Sequence, residues 1–124
     1  MMVRGVRGAT TVEANSVEAI LAATRELLSA MIKANEVDVD SVASAFFTTT
    51  PDLNAEFPAV AARDMGWTNI ALLCGHEMSK PGALPMTLRI LLHVNTDRPA
   101  SDVKHVYLRG ARVLRPDMGG PDGP

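Results

Sequence analysis

The sequence predicts an α+β domain that contains one mixed five-stranded sheet with its helices on one face. Two observations support this fold class: a long amphipathic helix follows the first strand, and a long alternating strand comes late in the chain. The predicted order is strand, helix, strand, helix and then three strands, which fits a sheet covered by helices on one side. The other face of the sheet is then left uncovered within one chain. We expect identical subunits to bury it, and therefore predict an oligomer.

The first strand and the first helix occupy the N-terminal third of the chain. Residues 3–11 are short and compatible with a strand, although their two glycines weaken it. Asn15, followed three residues later by Glu18, is the predicted N-terminal cap of the helix. Residues 16–35 have the apolar spacing of a helix with one buried stripe, which comprises Val17, Ile20, Leu21, Leu27, Leu28, Met31 and Ile32.

The middle of the chain predicts a strand, a short helix and another strand. Residues 42–50 are rich in Phe and Thr, which favours a strand, and Pro51 ends it. A short helix starts near Pro58, runs to about residue 65 and ends at Gly66. Residues 69–74 are an almost continuous apolar run, which predicts a strand buried on both faces.

The longest predicted strand covers residues 86–95. Strict alternation places Leu88, Ile90, Leu92 and Val94 on one face, and Thr87, Arg89, Leu91, His93 and Asn95 on the other. We expect a helical turn over residues 99–103 and a last strand over residues 105–114. Residues 116–124 are rich in Pro and Gly, so we expect a flexible tail after a single domain at residues 1–115.

Composition and charge limit the kinds of molecule that the protein is expected to bind and the compartment in which it is expected to work. The formal net charge of −2 argues against nucleic acid, because duplex binding usually requires a basic excess. Cys74 is the single cysteine, so no intrachain disulfide can form and a reducing compartment is expected. The chain lacks the apolar run of a signal peptide and the ~18 apolar residues of a membrane span. We therefore expect a cytoplasmic protein with no membrane partner.

The usual catalytic motifs are absent from the sequence. It contains no CxxC pair, no HExxH and no acidic run with calcium spacing, so we predict no metal site. No glycine-rich phosphate loop supports a nucleotide cofactor. Cys74 has His76 two residues later, but this spacing alone does not make a nucleophile and base. A small buried hydrophobic side chain is the favoured interpretation of Cys74.

Arginines in unusual places are the candidates that remain. Arg89 lies in the middle of an apolar strand, where a subunit salt bridge and a ligand site are about equally plausible. Arg7 lies between Gly5 and Gly8, where small neighbours allow close approach, although an exposed edge charge is the simpler interpretation. Arg63, on the short helix, is by pattern alone a solvent-facing charge.

Two further side chains have ordinary interpretations when considered alone. Glu77, just after the third strand, is by default a solvent-exposed glutamate in a loop. Tyr107 is by default a half-buried core residue whose hydroxyl contacts water. Arg115 opens the Pro/Gly tail and either closes over a site or has no role.

Several blocks of sequence carry a family resemblance along almost the whole chain. They are MMVRGVRGATTVE at residues 1–13, TTPDL at 49–53, FPA at 57–59 with Arg63, Cys74 with Glu77 and Met78, NTD at 95–97, HVYL at 105–108 and LRPD at 114–117. In order and spacing these blocks closely resemble the monofunctional, trimeric class of chorismate mutases, which has a pseudo α/β-barrel core.

The resemblance implies a homotrimer whose active sites lie in clefts between neighbouring subunits, with no cofactor. It implies that Arg7, Glu77, Arg89 and Tyr107 line the site. One position departs from the family: Val60 stands where a lysine commonly follows Phe-Pro-Ala, which affects a peripheral electrostatic contact.

The resemblance also implies further substrate contacts. Arg63 would lie near the mouth of the site, Phe57 and Leu114 would be its apolar walls, and Cys74 would neighbour the substrate ring. Apart from the resemblance, Pro/Gly-rich ends usually fray, but the charge of Arg115 beside an anionic site would draw the tail across it as a lid.

The implied reaction is the intramolecular Claisen rearrangement of chorismate to prephenate in the synthesis of Phe and Tyr. It needs neither a nucleophile nor a metal, so the protein selects a compact conformer and stabilises the ether oxygen as negative charge develops. Arg89 is the expected donor to that oxygen. Arg7 and Tyr107 would hold a carboxylate, and Glu77 would accept a hydrogen bond from the ring hydroxyl.

Two other interpretations stay open at the level of sequence. One is a trimeric imine deaminase, which is similar in size and sheet architecture and also holds a carboxylate with an arginine. The other is a non-catalytic trimer that binds a small carboxylate. Fold class alone does not choose among the three.

Overall fold

The computed structural model describes residues 1–115. Three short 3₁₀ turns lie at Val39–Ser41, Ala100–Asp102 and Arg109–Leu114. The strands and helices, in chain order, are β1 Met2–Thr11, α1 Val17–Asn35, β2 Val42–Thr49, α2 Ala59–Asp64, β3 Ala71–His76, β4 Thr87–Thr96 and β5 Val106–Tyr107.

The five strands form one sheet in the order β3-β2-β4-β1-β5. The central strand β4 pairs antiparallel with β1 and with β2. The outer pairs, β2 with β3 and β1 with β5, are parallel. The predicted mixed five-stranded sheet is therefore confirmed, and β4 has a hydrogen-bonded neighbour on each side.

The hydrophobic core lies between the sheet and the two helices. The predicted alternation of β4 is confirmed, because its four core-facing apolar side chains are all buried. Gly8 on β1 lets α1 come close: a Cβ atom there would lie 2.3 Å from the sulfur of Met31. The core side chains that α1 and β4 contribute are Ile20, Leu27, Leu28, Met31, Leu88, Ile90, Leu92 and Val94.

The N-terminus of α1 is capped one residue later than predicted. Ser16 is the cap, and its hydroxyl accepts a hydrogen bond from the Ala19 N–H at 3.1 Å. The predicted cap, Asn15, was wrong because its amide is used elsewhere. It accepts hydrogen bonds from the backbone N–H groups of Asn54 and Ala55, and so ties the start of α1 to the loop after β2.

Two strand predictions are corrected. The third strand was expected to be buried on both faces, but β3 lies at the sheet edge and Leu73 is 61% exposed. The last strand was expected over residues 105–114, but β5 ends at Tyr107. Arg109 then adopts φ +50°, which leaves the extended region, and it donates two 2.9 Å hydrogen bonds to Glu26 on α1. The 3₁₀ segment follows from here, and its Ala111 and Leu114 side chains are buried against Ala9.

The face of the sheet opposite the helices is largely open. The 3₁₀ segment Arg109–Leu114 covers one corner of it, where Ala111 and Leu114 pack against Ala9. Across the described residues, neither helix is both long and apolar enough to span a bilayer.

Candidate active site

A cleft of about 220 Å³ lies on the helix-free face of the sheet. We call it the central cleft. Four of the residues singled out in the sequence line it: Arg7, Glu77, Arg89 and Tyr107. The other lining residues are Gly8, Ala9, Phe46, Thr48, Ile90 and Leu91.

Strand register explains why these residues meet. Arg89 on β4 is opposite Ala9 of β1 on one side and opposite Thr48 of β2 on the other. Glu77 follows β3, and its backbone N–H donates to the Thr49 carbonyl oxygen at 2.8 Å. Side chains directly opposite one another on paired strands share a face and lie close together. The sheet therefore brings residues that are distant in sequence to one surface.

Glu77 and Arg89 form the charged centre of the cleft. The Arg89 Nε atom lies 4.0 Å from Glu77 Oε2, and each side chain is 32% exposed. The Thr48 hydroxyl donates a hydrogen bond to the same carboxylate oxygen. Oε2 thus accepts a hydrogen bond from a hydroxyl and lies near a cation, while both charged side chains keep surface that a polar ligand can reach.

Arg7 and Tyr107 meet at the junction of β1 and β5. Tyr107 pairs with Ala9, and the Leu108 N–H donates to the Ala9 carbonyl oxygen at 2.9 Å. Arg7 and Ala9 are two residues apart on β1, so their side chains point to the same face. The cleft therefore presents two guanidinium groups, one phenol and one carboxylate, a set suited to a small polyanion that also carries a hydroxyl.

Phe57 and Cys74 do not lie in the central cleft but line a second cleft of about 250 Å³. Phe57 is 66% exposed. Partial burial raises the pKa of the Cys74 thiol, against the opposing effects of a hydrogen bond with the Ala59 backbone and the charge of Arg63. Arg63 on α2 is exposed, and its positive charge acts on the Cys74 thiol. These three residues form a second group.

Leu114 and Arg115 end the described part of the chain. Leu114 is buried against Ala9 and Ala111, beside Tyr107, and Arg115 is half-buried. The predicted tail at residues 116–124 lies outside the described residues. Among residues 1–115, no group of three or more His, Cys, Asp or Glu side chains is placed to hold a metal ion.

Sequence reasoning missed Phe46 and Thr48, which both line the central cleft. They alternate on β2, so the period of the strand does place them on one face. The missing signal was the register, which pairs Phe46 with Leu91 and Thr48 with Arg89. Strand pairing is not readable from a single sequence.

Comparison with known proteins identifies the family. A family model described as chorismate mutase type I matches residues 3–118. The chain belongs to the type I chorismate mutase family. It is therefore an isomerase, and chorismate and prephenate are its substrate and product.

Individual relatives agree with the family model. The chorismate mutase AroH of Thermus thermophilus is 50% identical over 118 residues, which are 94% of this chain and 97% of the relative. The AroH of Bacillus subtilis (strain 168) is 43% identical over 119 residues, which are 95% and 94% of the two chains. Neither the imine deaminase nor the non-catalytic trimer receives support from these relatives.

A solved structure supports the fold. The chorismate mutase from Clostridium thermocellum, Cth-682, superimposes with a TM-score of 0.87 at 50% sequence identity. The match covers 89% of this chain and 98% of that one. The predicted fold class is thus confirmed, and chorismate mutase activity places the chain in aromatic amino acid biosynthesis.

Proposed function

We propose that this mutase rearranges chorismate by selecting a conformer and stabilising charge, without covalent catalysis. The observation that carries the proposal is the central cleft, in which Arg7, Glu77, Arg89 and Tyr107 converge. The reaction breaks one C–O bond while it forms one C–C bond within the same molecule. It requires no proton transfer, so the protein contributes position and electrostatics.

Arg89 stabilises the ether oxygen as the C–O bond opens. It lies on the central strand of the sheet, and its backbone is paired on both sides, so the origin of its side chain is fixed before substrate arrives. A donor that is already in place costs little reorganisation during the reaction. Its guanidinium is always charged and offers N–H groups to more than one acceptor.

The remaining three side chains of the set orient the substrate. Arg7 offers two parallel N–H groups to a carboxylate, and the Tyr107 hydroxyl adds a third donor. Glu77 accepts a hydrogen bond from the ring hydroxyl. Thr48, which donates to the Glu77 carboxylate, holds that acceptor in place.

We further propose that the working enzyme is a homotrimer and that neighbouring chains complete each site. An apolar row crosses the open face, because Leu73, Phe46 and Leu91 are directly paired on β3, β2 and β4. Phe46 is 42% and Leu73 is 61% exposed in the single chain. Exposed apolar patches of this kind are typical of protein–protein contacts.

In this arrangement the second cleft of one chain faces the central cleft of the next. Phe57 and Cys74 would then supply an apolar wall, and Arg63 a charge at the mouth, while Leu114 and Arg115 close the other side. A head-to-tail contact that closes on itself after three copies gives three equivalent sites. The lone cysteine, which cannot form an intrachain disulfide, fits our proposal of a cytoplasmic enzyme.

Loss of the ultraviolet absorbance of chorismate on mixing with purified protein tests the activity. Sedimentation equilibrium tests the assembly, and we expect the mass of three chains of 13.2 kDa. Turnover by a species that stays monomeric at assay concentration would refute the shared site but leave the activity intact. Binding of chorismate without turnover would contradict the proposed mechanism.

A further inference from the structure

His105 makes an unusual contact with the strand that carries Arg7. Its Nδ1 atom accepts a hydrogen bond from the Arg7 backbone N–H at 3.0 Å. The parallel pairing of β1 with β5 begins one residue later, at Gly8 opposite Val106. An imidazole nitrogen thus provides the acceptor for Arg7 just before the ladder of backbone pairs starts.

This contact fixes the protonation state of the ring. Nδ1 accepts a hydrogen bond only when it carries no hydrogen itself, so the neutral imidazole must carry its hydrogen on Nε2. Partial burial, together with the positive charge of Arg7, lowers the pKa of His105 and so favours this neutral form.

The contact also flanks β5, which is a very short strand. β5 contains two residues, Val106 and Tyr107. Beyond its C-terminal end the Leu108 N–H donates to Ala9, and before its N-terminal end His105 accepts from Arg7. In so short a strand each flanking hydrogen bond has a large share in holding β1 and β5 in register.

We propose that His105 is a positioning residue for Arg7, and that its Nδ1 acceptor sets the distance between the Arg7 and Tyr107 side chains. This inference rests on the proposed function, in which those two side chains hold one substrate carboxylate. His105 itself does not touch the substrate. It acts on substrate binding through the backbone of Arg7.

Two matched substitutions test the acceptor. Asparagine places its side-chain oxygen near the position of Nδ1, whereas leucine fills similar space without an acceptor. We expect His105→Leu to raise KM about tenfold, as expected for one lost hydrogen bond, with a smaller change in kcat. His105→Asn should restore KM to within about twofold of wild type. Equal KM values for the two variants would overturn the proposal.

A double-mutant cycle separates positioning from a general structural effect. If His105 acts through Arg7, His105→Leu should change kcat/KM by less than about twofold when Arg7 is already alanine. A full additional loss in that background would overturn the proposal. An unchanged kcat/KM in Arg7→Ala alone would instead refute the role that the proposed function gives to Arg7.

The wild-type protein provides a test that does not depend on the folding of any variant. Nitrogen-15 NMR of the histidine side chains at neutral pH distinguishes the two neutral tautomers. We expect the His105 ring to carry its proton on Nε2 and to have a bare Nδ1. A protonated Nδ1 would contradict the acceptor role directly.

Discussion

Replacing Arg89 with alanine removes the cation that we assign to the ether oxygen of the substrate. The size of the effect follows from the environment of the side chain. It is 32% exposed and lies 4.0 Å from Glu77. At an effective dielectric constant of about 20, two unit charges at that separation interact by about 4 kcal/mol. The ether oxygen carries only part of a unit charge, but as a hydrogen-bond acceptor it would lie closer to the guanidinium than Glu77 does, so the two differences offset and the figure gives the order of magnitude.

Mutational data on preorganised donors give a similar range. Loss of one donor to a developing oxyanion lowers kcat about 10²–10³-fold, or about 3–4 kcal/mol. We therefore expect Arg89→Ala to lose at least about 10²-fold in kcat. KM should also rise, because Glu77 would then face an anionic substrate without the nearby cation. Arg89→Lys should be intermediate, since it keeps the charge but loses the fork of donors.

Steady-state measurement of chorismate consumption gives both constants. Arg25→Ala is the matched control, because Arg25 is an exposed arginine on α1, which packs on the face of the sheet opposite the central cleft. It should retain wild-type kcat and KM. Near-normal kcat in Arg89→Ala, with a folded protein by circular dichroism, would refute the electrostatic role of Arg89.

Three further predictions concern the mouth of the site, the packing of α1 and the pH dependence of stability. Arg63→Ala should mainly raise KM, because a contact at the mouth acts alike on ground and transition states; a loss confined to kcat would contradict this. Gly8→Ala should cost about 1–3 kcal/mol in urea unfolding, because its Cβ would overlap Met31, whereas Gly5→Ala, whose Cβ would lie 3.6 Å from its nearest neighbour, should cost less. The lowered pKa of His105 means that the unfolded chain binds more protons, so this part of the stability is present above pH 6.5 and lost below it. The melting temperature of His105→Asn should therefore fall less steeply with acidification than that of wild type.

Much of the fold was readable from local patterns. The apolar stripe of α1 and the alternation of β4 are set by the period of each element, and both were predicted correctly. The position of β3 was not, because an apolar run does not reveal whether a strand lies inside a sheet or at its edge. Leu73 is apolar and yet 61% exposed in the single chain, so its apolar character does not report burial within the sheet.

The end of the last strand lies where the chain makes long-range contacts. Arg109 pairs with Glu26 of α1, and Ala111 and Leu114 pack against Ala9 of β1. No local pattern around residues 105–114 contains that information. The same limit applies to Thr48, whose contact with Glu77 exists only because β2 and β3 are neighbours.

The grouping of site residues was predicted in part. Six of the residues assigned to the site lie in two clefts of one chain, with Arg7, Glu77, Arg89 and Tyr107 in the first and Phe57 and Cys74 in the second. This division is what a site built from two neighbouring chains requires. The proposed shared site is therefore the claim on which the roles of both groups depend.

Mixing two damaged chains tests the shared site most directly. Arg89→Ala damages the central cleft, and Arg63→Glu damages the second group at an exposed position. At chorismate concentrations below KM, the trimer formed by either variant alone should have a strongly reduced rate. If the chains are unfolded together in equal amounts and refolded as random trimers, about a quarter of the sites should combine two intact halves. We predict recovery of about a quarter of wild-type kcat/KM. Activity no higher than the mean of the two parent variants would contradict a site shared between chains.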